Sequence, residues 1–391
     1  MKQGWEIKKL GEVATFQRGL TYSKEDEVEH SNNCVLRSNN IDLESMSIVF
    51  DELKCIREDF IVDEDKKVHP NTILICMSNG SKQHLGKVAF IDKAYGYAFG
   101  GFMGLIKPNS DIFAKYVFYS CISPNYKHFL SGIGNGANIS NLKFSDLSQF
   151  TIPIPPLPEQ EKIVAELDCL SGIIEKKREQ LKELDALAES IFYTMFGDPI
   201  TNEKGWEVKP LKEFGEVITG NTPSTKDEEN FSSNDYCFVK PSDIDKDCIT
   251  HIKNTENYIS KKAFLQSRQL KIGSVLTTCI GIIGKVGILQ TDATCNQQIN
   301  AIIPNSNYTS DYIAFAIYLS RKVIEDIANA PVVPIINKSA FSNITIPSPP
   351  LSLQQEFAEK IEAIEKQKQL IKKSIEETET LFNARMDYYF N

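Results

Sequence analysis

A long internal repeat limits the folds that this chain can adopt. Four short segments of the first half return in the second half in the same order, and the offset between partners lies between 194 and 203 residues. The pairs are Gly4–Lys8 with Gly205–Lys209, Val35–Ile41 with Phe238–Ile244, Leu85–Val88 with Ile283–Val286, and Ile152–Leu157 with Ile346–Leu351. Solenoid repeats have about 20–45 residues, so a repeat of this length predicts two homologous domain units instead.

Each repeat divides into a strand-rich part and a helical part. The strand-rich part contains short apolar runs, such as Thr72–Met77, that are bounded by turn residues such as Ser78–Gly80. A proline-rich segment follows at 153–158. Because proline is excluded from helix interiors but suits the first helical turn, this segment predicts the start of a long helix.

The two helical parts carry apolar residues at alternating spacings of three and four, which is the a/d seam of a coiled coil. The predicted seam residues are Ile163, Leu167, Leu170, Ile174, Leu181, Leu184 and Ile191 in the first helix, and Phe357, Ile361, Ile364, Ile371, Ile375 and Phe382 in the second. Lys177, Lys368, Thr378 and Arg385 also fall in seam positions. Each helix would be about 57 Å long, which favours pairing of the helices over packing of each helix on its own domain.

The sequence therefore predicts an α+β chain with two homologous globular α/β domains and two long helices. We expect the helices to form an intramolecular antiparallel coiled coil, in a pseudo-twofold and circular organisation that brings the termini close together. The predicted segments are domain 1 at 1–157, helix 1 at 158–196, domain 2 at 197–350 with a linker at 197–204, and helix 2 at 351–391.

Composition excludes some classes of protein. With 43 basic and 52 acidic residues, the net charge is −9, which excludes a wholly basic nucleic-acid coat protein but not a local basic surface. The sequence contains no run of about 18 apolar residues, so no membrane helix is predicted. The segment 1–5 has no apolar signal core, so we expect a cytoplasmic protein. The nine cysteines include no CxxC pair, which favours reduced thiols over disulfides or zinc ligands.

Catalytic motifs are missing from the sequence. The glycine-rich segment Gly281–Lys285 differs from a phosphate-binding loop, because Cys279 and Val286 replace the first glycine and the hydroxyl residue. The five histidines have no metal-ligand spacing. Glu64–Lys66 matches only the tail of a nuclease carboxylate motif. These observations predict a binding protein that is not itself an enzyme.

The doubled motifs resemble one known family. Three features carry the resemblance: a Gly-Trp-Glu-x-Lys start at Gly4–Lys8 and Gly205–Lys209, an Ile-Pro-x-Pro-Pro-Leu-x-x-Gln segment that runs into a long helix, and the junction Phe196–Pro199. Together they resemble the specificity subunit of type I restriction–modification systems. The resemblance covers essentially the whole chain. It implies two target-recognition domains, each reading one half of a bipartite, asymmetric site in double-stranded DNA, with the two helices setting the distance between them.

The resemblance also implies partners. Two modification (methyltransferase) subunits and the restriction (translocase–nuclease) subunits would bind this chain. S-adenosylmethionine, ATP and Mg would then bind those partners, and this chain would hold no cofactor and no metal. The alternative function is a coiled-coil scaffold or adaptor without DNA recognition. The two halves agree at framework positions and differ in between, which favours two readers of different sequences.

Candidate DNA-binding residues follow from side-chain chemistry. Base edges favour Arg, Asn and Gln, whereas phosphates favour Lys, Ser and Thr. The candidates are Arg37, Asn39, Asn40, Ser81, Lys82, Gln83 and Lys87 in the first domain, and Asn221, Thr222, Lys240, Ser242, Lys285, Asn296, Gln297 and Gln298 in the second. Ordinary loop polarity is the competing interpretation, and Lys87 and Lys285 also fit a turn at a strand edge.

Overall fold

The structure, a computed structural model, describes residues 4–81, 83–133, 141–328 and 334–391. The chain forms two compact units. Unit 1 consists of Met1–Lys176 and Ser374–Asn391, and unit 2 consists of Lys177–Lys373. Each unit therefore contains one globular part together with a portion of each long helix.

Unit 1 begins with the strands and short helices of the first repeat. In chain order its strands are β1 (Glu6–Lys9), β2 (Ala14–Arg18), β3 (Glu27–Val28), β4 (Asn33–Leu36), β5 (Lys54–Ile56), β6 (Thr72–Cys76), β7 (Val88–Ile91), β8 (Ala98–Phe99), β9 (Met103–Pro108) and β10 (Thr151–Ile154). Its helices are α1 (Leu10–Val13), α2 (Ala114–Ser120), α3 (Pro124–Ile133), α4 (Phe144–Leu147) and the first half of α5 (Leu157–Phe196).

Two sheets form the globular part of unit 1. One is antiparallel with the order β2-β9-β6-β7, and the other has the order β3-β5-β4-β8 with a parallel β4–β8 pair. Strand β6 lies between two apolar cores because successive side chains of a strand point to opposite faces. Ile73 and Ile75 belong to the core that includes helix α2, and Leu74 and Cys76 belong to the core beneath the second sheet.

Unit 2 repeats this plan. Its strands are β11 (Val208–Pro210), β12 (Gly215–Thr219), β13 (Tyr236–Val239), β14 (Thr250–Ile252), β15 (Tyr258–Ile259), β16 (Val275–Thr278), β17 (Val286–Leu289), β18 (Ala293–Cys295), β19 (Ile299–Pro304) and β20 (Thr345–Pro347). Its helices are the second half of α5, α6 (Lys261–Gln266), α7 (Ser310–Leu319), α8 (Arg321–Ile327), α9 (Lys338–Ser342) and most of α10 (Leu351–Phe390).

The sheets of unit 2 have the orders β12-β19-β16-β17-β14 and β15-β13-β18. The first four strands of the larger sheet correspond to β2-β9-β6-β7 of unit 1. Gly220 and its counterpart Gly19 permit the same close approach of two backbones. A Cβ at Gly220 would lie 2.2 Å from the oxygen of Asn296, and one at Gly19 would lie 2.1 Å from the oxygen of Gly100.

A buried glutamine closes each globular part where the long helix begins, which explains the glutamine of the repeated proline motif. In unit 1, Gln160 accepts a hydrogen bond from the amide of Phe113 (2.9 Å) and donates one to the carbonyl of Pro155 (2.8 Å). In unit 2, Gln354 makes the same pair with Thr309 (3.0 Å) and Pro349 (2.9 Å). Each amide thus satisfies two backbone groups at the start of a helix.

The portions of α5 and α10 within unit 2 pack antiparallel. Phe196 and Phe192 contact Phe357 with ring centroids 5.3 and 5.6 Å apart, and further along both helices Asp185 meets Lys368. In unit 1, Glu166 of α5 binds residues near the end of α10. Its carboxylate lies 2.7 Å from the Nε of Arg385 and accepts a 2.6 Å hydrogen bond from the hydroxyl of Tyr389.

The predicted seam residues lie at inward positions of these helix portions. Six are buried: Ile163, Leu167, Ile174, Phe357, Ile361 and Ile364. The others are half-buried: Leu170, Leu181, Leu184, Ile191, Ile371, Ile375 and Phe382. Among the residues that the structure describes, no helix is long and apolar enough to cross a membrane.

Candidate nucleic-acid interface

Unit 1 has a groove with a volume of about 1170 Å³ where the loops of its two sheets meet. The end of β2, the loop after β4, the turn between β8 and β9, and the start of α4 form its walls. The charged side chains that line it are Arg18, Lys24, Arg37, Lys54, Lys143 and Glu27. Five cations face one carboxylate, so the groove is strongly positive although the whole chain is acidic.

These cations are largely uncompensated. Lys54 pairs with Glu27 at 3.2 Å. Within the part of the chain that the structure describes, Arg18, Arg37 and Lys143 have no ion pair with a carboxylate. Cations that are exposed and lack internal partners attract anions from solution, and the closely spaced phosphates of DNA are such anions.

The predicted residues around β4 have different positions. Arg37 is exposed and lines the groove, and Asn39 is exposed nearby. Asn40 is fully buried: its Oδ1 accepts the amide of Arg37 at 2.9 Å, and its Nδ2 donates to the carbonyls of Val49 and Asp51, both at 3.0 Å. Its amide holds the loop together and is not presented at the surface, which argues against the predicted contact with DNA.

The second predicted cluster of unit 1 lies outside the groove lining. Ser81 and Gln83 are exposed, and Lys82 lies outside the described residues. Lys87 is buried, and its Nζ donates a 2.7 Å hydrogen bond to the carbonyl of Ile41. Burial lowers the pKa of Lys87. The buried ammonium anchors the loop that follows β4, which argues against the predicted contact with DNA.

Lys285 has the corresponding role in unit 2. Its Nζ donates to the carbonyls of Ile244 (2.7 Å) and Pro241 (2.9 Å), so this half-buried lysine also anchors a loop. Its contact with DNA stays a prediction. In that loop Ser242 is exposed, whereas Lys240 is half-buried and donates to the Oδ1 of Asn257 at 2.9 Å.

The remaining candidates of unit 2 come together at the turn between β18 and β19. Thr222 donates a 2.6 Å hydrogen bond to the Oε1 of Gln297, and both residues are exposed. Asn296 is buried and bonds to Gln298 through both ends of its amide, at 2.8 and 3.1 Å. Asn296 therefore shapes the turn, which argues against its predicted contact with DNA, and Gln297 is the amide presented outward.

Asn221 connects this turn to a cation that the sequence reasoning missed. Its Oδ1 accepts the backbone amide of Arg268 at 2.9 Å, and the exposed side chain of Arg268 donates to the carbonyl of Thr219 at 2.6 Å. Arg18, Lys24, Lys54 and Lys143 of unit 1 were also missed. No local motif marks these residues, since they meet only through the sheet topology.

The turn between β18 and β19 is built like the turn between β8 and β9. The amides of Asn296 and Gly100 donate to the carbonyls of Val239 (3.0 Å) and Leu36 (2.9 Å) respectively. Two loops with one backbone scaffold thus carry different side chains. They have the sequences Gly100-Gly101-Phe102 in unit 1 and Asn296-Gln297-Gln298 in unit 2.

The globular parts and long helices match one protein family twice. The model of the type I restriction modification DNA specificity domain matches residues 2–185 and again 203–380. The chain belongs to this family. The two matches coincide with the two sequence repeats, and they confirm the resemblance found in the motifs.

Individual members of the family are similar to parts of the chain. The specificity subunit of the type I restriction enzyme EcoKI of Escherichia coli (strain K12) is 29% identical over 209 residues, covering 52% of this chain and 44% of that subunit. The StySPI specificity subunit of Salmonella potsdam is 30% identical over 190 residues, covering 47% and 40%. The matches thus span less than half the length of these two relatives.

A solved structure shows the same fold. It is the S subunit of a type I restriction–modification system from M. genitalium, which covers 99% of this chain and 96% of its own with a TM-score of 0.56 at 14% identity. The predicted fold class, with two homologous mixed α/β domains and two long helices, is therefore confirmed.

Proposed function

We propose that this chain is a DNA-recognition subunit of a type I restriction–modification complex, and that each unit reads one half of a bipartite, asymmetric site. The basic groove of unit 1 is the observation that carries this proposal. Its five cations come from five separate places in the sequence and meet at one surface. Family membership alone would not identify which face of the unit meets DNA.

The groove supplies the contacts that position a duplex. Arg18, Lys24, Arg37 and Lys143 are exposed, and cations in such positions bind phosphates without regard to base sequence. Each neutralised phosphate releases counterions, which makes the affinity depend on salt. The loops beside these cations then read the base sequence. The two sheets hold these loops at a fixed distance from the phosphates.

The difference between the two turns supports an asymmetric site. Gln297 presents an amide, which suits bidentate bonding to an adenine edge. The turn of unit 1 presents the ring of Phe102 and has no amide side chain. Two units with the same framework and different turn chemistry would read two different half-sites.

Partner docking completes the proposal. Both long helices keep large apolar side chains exposed, namely Ile173, Leu187, Leu370 and Leu381, and such side chains suit protein partners more than DNA. Modification and restriction subunits would dock there, and S-adenosylmethionine, ATP and Mg would bind those partners. The chain alone would bind DNA weakly because its net charge is −9.

The test is a salt titration of duplex binding with the full chain, alone and with its modification subunit. We expect strong specific binding only with that subunit. Replacing Arg18 or Lys143 by Ala should lower the slope of log affinity against log salt by about 0.9 for each lost phosphate contact. Lys93→Ala, which removes an exposed cation outside the groove, is the matched control. Equal slopes for all variants would favour the scaffold alternative.

A further inference from the structure

The ring of Phe102 lies at the surface of unit 1, inside the basic groove. The side chain is 71% exposed and lines the groove together with Arg18, Arg37 and Lys143. Single exposed apolar side chains are common on protein surfaces, so it is the position of the ring among the groove cations, and not its exposure, that indicates a binding role.

The backbone around Phe102 is fixed although the ring is exposed. Its carbonyl accepts hydrogen bonds from the amides of Met77 (2.9 Å) and Ser78 (3.1 Å), and the amide of Met103 donates to Gly100 at 2.8 Å. Gly101 completes the turn without a side chain. The ring is therefore the one side chain that the turn 100–102 presents, and backbone hydrogen bonds hold the main chain from which it extends.

The same position in unit 2 carries an amide. The carbonyl of Gln298 accepts the amide of Cys279 at 2.8 Å, which is the counterpart of the bond from Met77 to Phe102. The scaffold does not require an aromatic residue here, so the ring of Phe102 is a feature of unit 1 and not of the fold.

We propose that Phe102 determines specificity by an apolar contact with the C5-methyl group of a thymine in the half-site read by unit 1. This inference rests on the proposed function. In the major groove the thymine methyl is the apolar group among base edges that otherwise present hydrogen-bond donors and acceptors. Insertion of the ring between base pairs would also bury it, but that arrangement costs a few kcal/mol of unstacking, whereas the methyl contact needs no deformation.

The experiment uses the full chain with its modification subunit. The target sequence is first identified as the DNA motif that is methylated in cells, and duplexes that contain this motif are used for binding. Each thymine of the motif is replaced in turn by uracil, which removes only the methyl group. We expect one thymine at which uracil weakens binding of the unchanged protein about fourfold, the value of one buried methyl-sized group. Phe102→Ala should bind both duplexes equally and about as weakly as the unchanged protein binds the uracil duplex.

Two controls separate this inference from the proposed function. Ile61→Ala removes another apolar side chain of unit 1, 86% exposed, and should leave the discrimination between thymine and uracil unchanged. The double variant Arg18→Ala, Lys143→Ala should weaken binding to every duplex. If the double variant binds normally, the proposed role of the groove fails.

If the double variant weakens binding and Phe102→Ala does not, only the thymine contact fails. The inference is also overturned if Phe102→Ala loses equal affinity for the thymine and uracil duplexes, as insertion between base pairs would require. A motif in which no uracil replacement affects binding overturns it as well. Sensitivity at one thymine that disappears in Phe102→Ala supports it.

Discussion

In unit 2 the Nζ of Lys368 on helix α10 lies 2.7 Å from the Oδ1 of Asp185 on helix α5. The same ammonium lies 2.7 Å from the Oε1 of Glu365, and the lysine side chain is 5% exposed. Burial acts to lower the pKa of Lys368, but the two carboxylates outweigh burial and raise it. A cation can thus occupy a position of the apolar helix seam because the carboxylates of Asp185 and Glu365 both pair with it.

Removal of this cation should destabilise unit 2. We expect Lys368→Met to lower the free energy of unfolding by about 3–5 kcal/mol, because two partly buried carboxylates lose their counter-charge. Denaturant unfolding followed by circular dichroism measures the change. Lys366→Met is the matched control, since Lys366 pairs with Glu362 in solvent with both side chains at least 66% exposed. Its effect should stay below about 1 kcal/mol, and equal losses would contradict the argument.

Acid should weaken the same cluster through Glu365. Burial acts to raise the pKa of Glu365, but His251 and Lys368 outweigh it and hold the pKa at about 2, below its ordinary value of 4.5. The stabilising contribution is therefore complete above pH 4.5 and is lost as the pH falls towards 2, on the order of 2–3 kcal/mol in all. Unfolding midpoints across this range should fall less in Glu365→Gln than in the unchanged protein, whereas identical pH profiles would count against this role.

The glutamine that closes each globular part offers a second stability test. Gln354→Ala leaves the amide of Thr309 and the carbonyl of Pro349 without their partner, and each such loss costs about 1–3 kcal/mol in a buried site. Gln355→Ala changes the exposed neighbour and should stay within about 0.5 kcal/mol. Thermal unfolding compares the two variants. A similar midpoint for both would show that the buried amide adds little.

Lys87 should differ from the groove cations in a binding assay. Lys87→Met removes the hydrogen bond to Ile41 and should reduce stability. It should leave the slope of log affinity against log salt unchanged, because this ammonium is buried and meets no phosphate. A salt titration beside Arg18→Ala provides the comparison. A decrease in slope like that of Arg18→Ala would restore the original assignment of Lys87 to DNA contact.

Cysteine alkylation tests the burial pattern of both units. Burial raises the pKa of Cys121, Cys279 and Cys295 to about 12, so little thiolate forms at neutral pH. Cys169 is exposed on helix α5. Iodoacetamide should label Cys169 of the folded protein first, as peptide mass spectrometry would show, and all nine cysteines should react after denaturation. Early labelling of Cys279 would contradict the packing of unit 2.

The repeat and the long helices could be predicted because their signals are local or periodic. Proline spacing marks where each helix begins, and the observed start at Leu157 is one residue before the expected one. The role of Lys368 could not be read from spacing, which showed only a charged residue in an apolar seam. The lysine is accommodated in the seam because its ammonium pairs with Asp185 on the other helix.

The candidate site was less predictable, because polar residue types do not reveal whether a side chain faces outward. Asn40 and Lys87 satisfy backbone carbonyls inside loops, a use that is invisible in the sequence. Arg18, Lys54 and Lys143 stand far apart in the chain and meet only after the strands have paired. Arg37 was found because it follows a strand directly, where the chain turns at the edge of a sheet.

The pairing of the first and last strands of each globular part has a consequence for how such proteins evolve. Strand β1 pairs with β10, and β11 pairs with β20, so the chain enters and leaves each globular part at adjacent points. A gene segment that encodes everything between these strands can be exchanged by a double crossover without moving the points at which the chain enters and leaves the globular part. Similar runs flank both segments: Gly4–Lys8 and Gly205–Lys209 precede them, and Ile152–Leu157 and Ile346–Leu351 follow them. Under the proposed function, in which each unit reads one half-site, exchange of such a whole segment would change one half of the target in a single step.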